Sequence, residues 1–423
     1  MDSWKFDSAP QPYGVERPDS KYVLLMVMGA DGNLGKHIGE DINEISDAIN
    51  DDISAVILLD LPSKERSYVA EITRGGVKNL EVLPDINLGD PRWTADFLSR
   101  ALVSFSESSM VAIGFAGHGQ GAFKDYDEFE LALSREFRFA PLGHDSPGDE
   151  VLMEPRLAEK VVTRSMLADK VTGNALTNRE TSSALATAFY RAKRKRKVDL
   201  VFFDTCLNGS VEVFCEVRHF AEQMVASSFL TPETGWNYRL WLALTRTQQP
   251  KCSEAWSNLA VGAFGAENRK IFGRMPAQLA ASSTSEDFVA EFAELVRALK
   301  DRGEDGYRLL MEAAQRTESI YYEENLDLGD LVTQLSEVTQ DEEIRQLGNR
   351  YLTSQCKAVR ISESPPGKER LRGLTIWCPI RDDRENVRPY YRGLEFDRRT
   401  GWMDFLATGE KLAKESSGSV IEA

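Results

Sequence analysis

The chain has 423 residues, of which 42% are hydrophobic and 28% charged, with a formal net charge of −16. That composition is ordinary for a globular protein and long enough to bury a core without covalent staples. The acidic balance argues against a nucleic-acid backbone as the main partner, because phosphate binding needs a basic surface. Residues 1–20 are polar, contain Pro10, Pro12 and Pro18, and read as a tail or a strap. YVLLMVM (22–28) is a short apolar run of the buried-strand type, followed by the turn-forming GADGN. Over 37–49, Ile38, Ile42, Ile45 and Ile49 fall at helical spacing. ISAVILLD (53–60) predicts a second buried strand, and 66–75 with 80–84 an antiparallel hairpin. Residues 93–105 predict an amphipathic helix. MVAIGFAG (110–117), VDLVFFD (198–204) and MVASS (224–228) predict three further strands, with a helix over 211–221 between the last two.

Strands of this kind alternating with helices predict a mostly parallel sheet covered on both faces. The segment 120–197 interrupts the pattern and ends in RAKRKRK (191–197), basic at every position but one. That run reads either as the solvated end of a helix starting near Thr181 or as an exposed, protease-sensitive connection. From 241 to 423 the chain becomes mainly helical, with amphipathic stretches at 287–300 and 307–320. LRGLTIWCPI (371–380) predicts a late strand returning to the sheet.

Cys206, Cys215, Cys252, Cys356 and Cys378 are odd in number and widely spaced, with no CxxC pair, which favours a reducing compartment over a disulfide framework. The first 22 residues lack an apolar signal core, and no stretch approaches the ~20 apolar residues of a membrane span. The expected location is the cytoplasm.

In a covered parallel sheet, functional groups gather beyond the C-terminal ends of the strands. His118 and Cys206 both lie there. A nucleophilic cysteine needs a base, because the thiolate is the attacking species, and a histidine on another strand end can take or return the proton. Gly119 can bring a backbone N–H close to a developing oxyanion, and the Cys206 N–H is a second donor of that kind. The competing readings are a buried structural cysteine and a zinc site drawing on Cys206, with Cys215 and His219 at i and i+4 on the helix after it and His144 in a loop. GHGQG (117–121) also has the look of a phosphate cradle but lacks the Walker lysine.

An HG pair after one apolar strand and D-x-C after the next resemble the cysteine peptidases that include caspases, legumains, gingipains and clostripain. The finer resemblance is to the clostripain-like family: FFDTCLNGSVEV (202–213), MVASSFLTPETGWNY (224–238), ENLDLGDL (324–331), GLTIWCPI (373–380) and VLLMVMGADGNL (23–34) match its segments, so the likeness spans about residues 22–406. It implies a caspase-like αβα sandwich with the catalytic unit over 21–240, and a Cys–His dyad of Cys206 and His118. Gly119 and Cys206 would supply oxyanion N–H groups. The family cuts after Arg or Lys, and Asp204 matches its acidic residue at the specificity pocket, where a carboxylate suits a guanidinium. Ser227, Ser228 and Trp236 match the loop flanking the substrate. The likeness also implies self-cleavage between His and Cys, for which Arg135, Arg138, Arg156, Arg164 and the RAKRKRK run are candidates. It raises calcium as a cofactor, for which DYDEFE (125–130) is a candidate. The expected partners are protein or peptide substrates with Arg or Lys before the cut, plus an activating protease or an inhibitory partner. An enzyme of this kind inside a cell would be held as a zymogen or otherwise restrained, as in a signalling or defence cascade. The alternative is a catalytically silent binding protein on the same scaffold.

Overall fold

The structure is a computed structural model that describes residues 9–30, 34–61, 66–119, 166–169, 174–232, 234–285, 287–320, 322–361, 364–379 and 388–418. Its centre is a nine-stranded sheet. Five strands form the parallel middle: β1 (Tyr22–Gly29), β2 (Ile53–Asp60), β5 (Met110–Ala116), β8 (Val198–Asp204) and β9 (Ala221–Ser227). The hairpin β3 (Arg66–Thr73) and β4 (Gly76–Pro84) extends one edge, and β10 (Leu279–Ser283) and β13 (Val359–Ile361) extend the other, all antiparallel. The spatial order is β13-β10-β9-β8-β5-β1-β2-β3-β4, and β6 (Met166–Asp169) pairs antiparallel with β7 (Asn174–Leu176) in a two-stranded sheet of their own.

The middle strands are apolar at most positions because both faces are covered. Alternate residues serve the two faces. Val23, Leu25, Val27, Ile113, Phe115, Val201 and Phe203 enter one core. Tyr22, Leu24, Met26, Ala112, Leu200 and Phe202 enter the other. The first core is roofed by α2 (Pro91–Val103), α3 (Asn178–Arg191), α4 (Val211–Val217), α7 (Phe288–Asp301) and the helices that follow it; the second by α1 (Gly35–Ala48), α5 (Tyr238–Gln248) and α6 (Ser253–Phe272). Helices from beyond residue 241 therefore pack on the same sheet as those before it. The starts are chemically marked: Asp90 accepts from the Arg92 N–H ahead of α2, and Thr177 with Glu180 forms a capping box on α3. Gly114 on β5 leaves room for the Phe202 ring, since a Cβ there would fall 2.2 Å from Phe202 Cζ.

Several expectations need correcting. The late strand is only β14 (Thr375–Trp377), and it pairs with β12 (Tyr322–Asp327) in a separate three-stranded sheet with β11 (Ser319–Ile320) rather than returning to the main one. The helix expected over 211–221 stops at Val217, because Ala221 already begins β9. The second helical stretch of the C-terminal half starts earlier than expected, as α8 (Gly303–Arg316), and gives way to β11 before residue 320. Residues 9–20 are a strap: the Tyr13 N–H donates to Ser104 Oγ, and the Tyr13 ring lies under the Arg100 guanidinium at 4.1 Å. The RAKRKRK run closes α3 and enters β8, with Arg191 paired to Asp96 and Arg196 to Asp199. Among the described residues, no helix is long and apolar enough to cross a membrane.

Candidate active site

The site begins with one rung of the sheet. β5 and β8 are parallel neighbours in a register that pairs Ala116 with Asp204. Two residues beyond that rung on each strand stand His118 and Cys206. The ladder continues one step as the Gly117 N–H donates to Asp204 O at 3.2 Å. Gly117 has φ +149°, which disfavours a side chain, and a Cβ there would meet Gly29 O at 3.2 Å. Gly119 is still tighter: a Cβ would fall 2.5 Å from Cys206 O and 2.6 Å from Thr205 Cβ. The backbones on either side of the histidine and the cysteine therefore press against each other, which only glycine allows.

Cys206 sits on a sharp turn out of β8. Leu207 takes φ +61°, an uncommon conformation for a residue with a side chain. The turn is pinned from β9 and its outlet: the Leu207 N–H donates to Phe229 O (2.9 Å), the Gly209 N–H to Ser227 O (2.7 Å), and Asn208 Nδ2 to Thr205 Oγ1 (2.6 Å). Ser210 then caps α4 by accepting from the Val213 N–H. The thiol is half-buried, and the Thr231 N–H points at its sulfur at 3.3 Å. His118 and Cys206 open onto one cleft of about 560 Å³ including its mouth, together with Asp41, Asp204 and Thr231.

Beside the sulfur the cleft is acidic. Asp204 is buried, and its Oδ2 accepts from Tyr238 Oη (2.9 Å) and the Trp236 N–H (3.3 Å). Gly235, at φ +60°, brings the chain to within van der Waals reach of the same oxygen. Burial raises the Asp204 pKa, opposed by those two hydrogen bonds. Asp41, on α1, is raised further, by burial first and then by the negative charges of Asp204, Glu44 and Glu40.

A family comparison bears on this arrangement. The model of the clostripain family of peptidases matches residues 148–406, a span that includes Asp204 and Cys206 and leaves His118 and Gly119 outside it. The chain belongs to the clostripain family. It is a cysteine peptidase. Solved structures resemble it along nearly its whole length. They include a secreted C11 cysteine protease from Bacteroides thetaiotaomicron, iotapain (TM-score 0.62, 12% identity, 90% of this chain and 99% of that one). A secreted C11 protease from the same organism in complex with an irreversible peptide inhibitor matches at TM-score 0.61 and 14% identity, over 90% and 99%. An inactive zymogen C11 protease from Parabacteroides distasonis matches at 0.62 and 14%, over 91% and 99%. At these identities the likeness shows a shared fold, the caspase-like sandwich. A search of curated proteins gave no match.

Against that clostripain scaffold the other expected residues divide. Ser227, Ser228 and Trp236 do not flank the cleft with their side chains. Ser227 and Ser228 are buried, and Ser227 Oγ accepts from the Phe229 N–H within its own turn. The Trp236 indole is 2% exposed and packs on Phe202 (5.0 Å) and Trp241 (5.7 Å), while its main-chain N–H donates to Asp204. Of the zinc candidates, Cys215 is fully buried with its thiol pushed well up by burial, while His219 is exposed and paired with Glu395 at 2.8 Å. His144, the DYDEFE stretch and Arg135, Arg138, Arg156 and Arg164 lie outside the described residues.

Two titratable cleft residues escaped the sequence reading: His37, whose Nδ1 lies 3.2 Å from Glu40 Oε2, and Asp41. A signal for Asp41 existed. It stands three residues after Ile38 and four before Ile45, so it is a carboxylate inside the apolar stripe of α1. Because folding raises the Asp41 pKa, the native state holds more protons than the unfolded chain above the ordinary carboxylate range. The contribution of this group therefore falls as pH rises toward its folded pKa. The Asp41→Asn protein should accordingly gain in melting temperature relative to wild type as pH goes from 5 to 8, as read by differential scanning calorimetry. A gap that stays constant or shrinks would contradict the burial of this charge.

Proposed function

We propose that the chain is an endopeptidase that cuts after Arg or Lys with Cys206 as nucleophile and His118 as its acid and base. The observation that carries this reading is the shared rung: both groups stand two residues past the Ala116–Asp204 pair and open onto one cleft whose lining includes the Asp204 carboxylate. The Cys206 sulfur attacks the scissile carbonyl carbon as its proton passes to the His118 imidazole. The tetrahedral intermediate collapses, the C–N bond breaks, and the amine leaves with that proton. Water, deprotonated by His118, then hydrolyses the thioester, and the proton returns to the sulfur. The Gly119 and Cys206 N–H groups would face the oxyanion, a contribution typically worth about 10²-fold per donor. Asp204 would receive the basic side chain before the cut.

A protease of this specificity suits a latent form, opened by cleavage between His118 and Cys206. The RAKRKRK run is a poor place for that cut, since Arg191 and Arg196 are held in ion pairs and Lys197 leads directly into β8. The widely spaced thiols suit a reducing compartment, and we place the enzyme in the cytoplasm.

Fluorogenic peptides differing only in the residue before the cut provide the test. Wild type, before and after limited trypsin treatment, should cleave Arg and Lys substrates, and Cys206→Ala and His118→Ala should each lose roughly 10³-fold or more in kcat/KM. Activity retained in Cys206→Ala, or confined to acidic or neutral residues, would defeat the proposal. Intact-mass analysis of active wild type beside Cys206→Ala checks latency: a fully active, uncut chain would remove it.

A further inference from the structure

The acidic end of the cleft holds two carboxylates from two different elements, and their hydrogen-bonding is unequal. Asp204 spends Oδ2 on Tyr238 and Trp236, while its Oδ1 accepts from no described residue. Asp41 is only 7% exposed, lines the cleft, and makes no hydrogen bond or ion pair with any described residue. No Lys or Arg lines the cleft among the described residues. Glu40 and Glu44 on the same helix add negative charge, and Tyr238 Oη is already committed to Asp204. Leaving a carboxylate buried without a donor costs free energy that an aliphatic side chain would avoid, and the stripe of Ile38 and Ile45 would accept one. A group kept at such cost in a substrate cleft has a partner that arrives with the substrate.

The chemistry of the vacant acceptors selects that partner. An ammonium is a compact charge with three donors, which one carboxylate and a few carbonyls can satisfy. A guanidinium is a planar fork with five N–H donors, and it uses acceptors on two sides. We propose that Asp41 is a second specificity-determining residue, taking the N–H groups of an arginine side chain that Asp204 leaves free, and that it makes the enzyme prefer Arg to Lys before the cut. This rests on the reading that the enzyme cuts after basic residues.

The test uses two peptides identical except for Arg or Lys before the cut, with kcat and KM measured separately for wild type, Asp41→Asn and Asp204→Asn. Wild type should favour Arg by about tenfold or more in kcat/KM. Asp41→Asn should bring the Arg-to-Lys ratio near one, mainly through a higher KM for Arg, while Asp204→Asn should lose both substrates. An unchanged ratio in Asp41→Asn, with both activities still lost in Asp204→Asn, would overturn the role of Asp41 and leave the basic-residue specificity standing. Loss of neither activity in Asp204→Asn, or no cleavage after either residue by trypsin-treated wild type, would overturn both. A measurement on the unaltered chain covers a poorly folding variant: ethylguanidine should protect Cys206 from iodoacetamide at a concentration at least about tenfold lower than propylammonium does. Equal protection by the two would overturn the proposal.

Discussion

The site depends on one backbone contact: the chain at Gly119 lies directly against Thr205 and Cys206, at a distance that excludes any side chain. That contact follows from the register of β5 and β8, which pairs Ala116 with Asp204 and sends the two strand ends out side by side. Adjacent strands lie about 4.8 Å apart, so two residues past a common rung are neighbours by construction. A histidine and a cysteine at those positions need no long loop to meet. The rigidity comes from the sheet, which is buried on both faces around this rung by Phe115 and Phe203 on one side and Phe202 on the other.

In the mechanism we propose, electrostatics then divides the cleft into a reacting half and a recognising half. At the sulfur, the Thr231 N–H offers a dipole to negative charge. In the same lining, burial pushes Asp204 and Asp41 toward their neutral forms, with the charge of Glu44 adding to the effect at Asp204 and that of Asp204 at Asp41. On that proposal the same β8 terminus would supply both functions, since Asp204 ends the strand and Cys206 follows after one residue. Recognition and attack would thereby be coupled along a single stretch of backbone, with Leu207 in the αL conformation directly after the cysteine.

The parallel strands were legible in the sequence because burial on both faces leaves continuous apolar runs such as YVLLMVM and VDLVFFD. β10, β13 and β14 were not recognised for what they are, because strands of three to five residues such as LAASS and VRI carry too few positions for a pattern, and pairing partners decide their fate. His118 and Cys206 were legible as residues past strand ends, whereas the adjacency of β5 and β8 is a fact of strand order that periodicity does not encode. Trp236 was placed by the family likeness of its segment, which does not say which way a side chain faces, and the indole packs on Phe202 and Trp241 instead. Asp41 was readable only as an acid inside an apolar helix stripe, a signal that gains meaning once the helix is known to roof the cleft.

The central claim, that the thiol of Cys206 is activated by His118 within this cleft, is tested most directly by covalent labelling. Wild type, after limited trypsin treatment, and a matching His118→Ala sample are each treated with a peptidyl acyloxymethyl ketone ending in arginine, and the adduct is located by mass spectrometry. The account predicts a single adduct on Cys206, formed much more slowly in the His118→Ala protein. An adduct on the exposed Cys252 or Cys356 instead, or equal labelling rates with and without the imidazole, would contradict it.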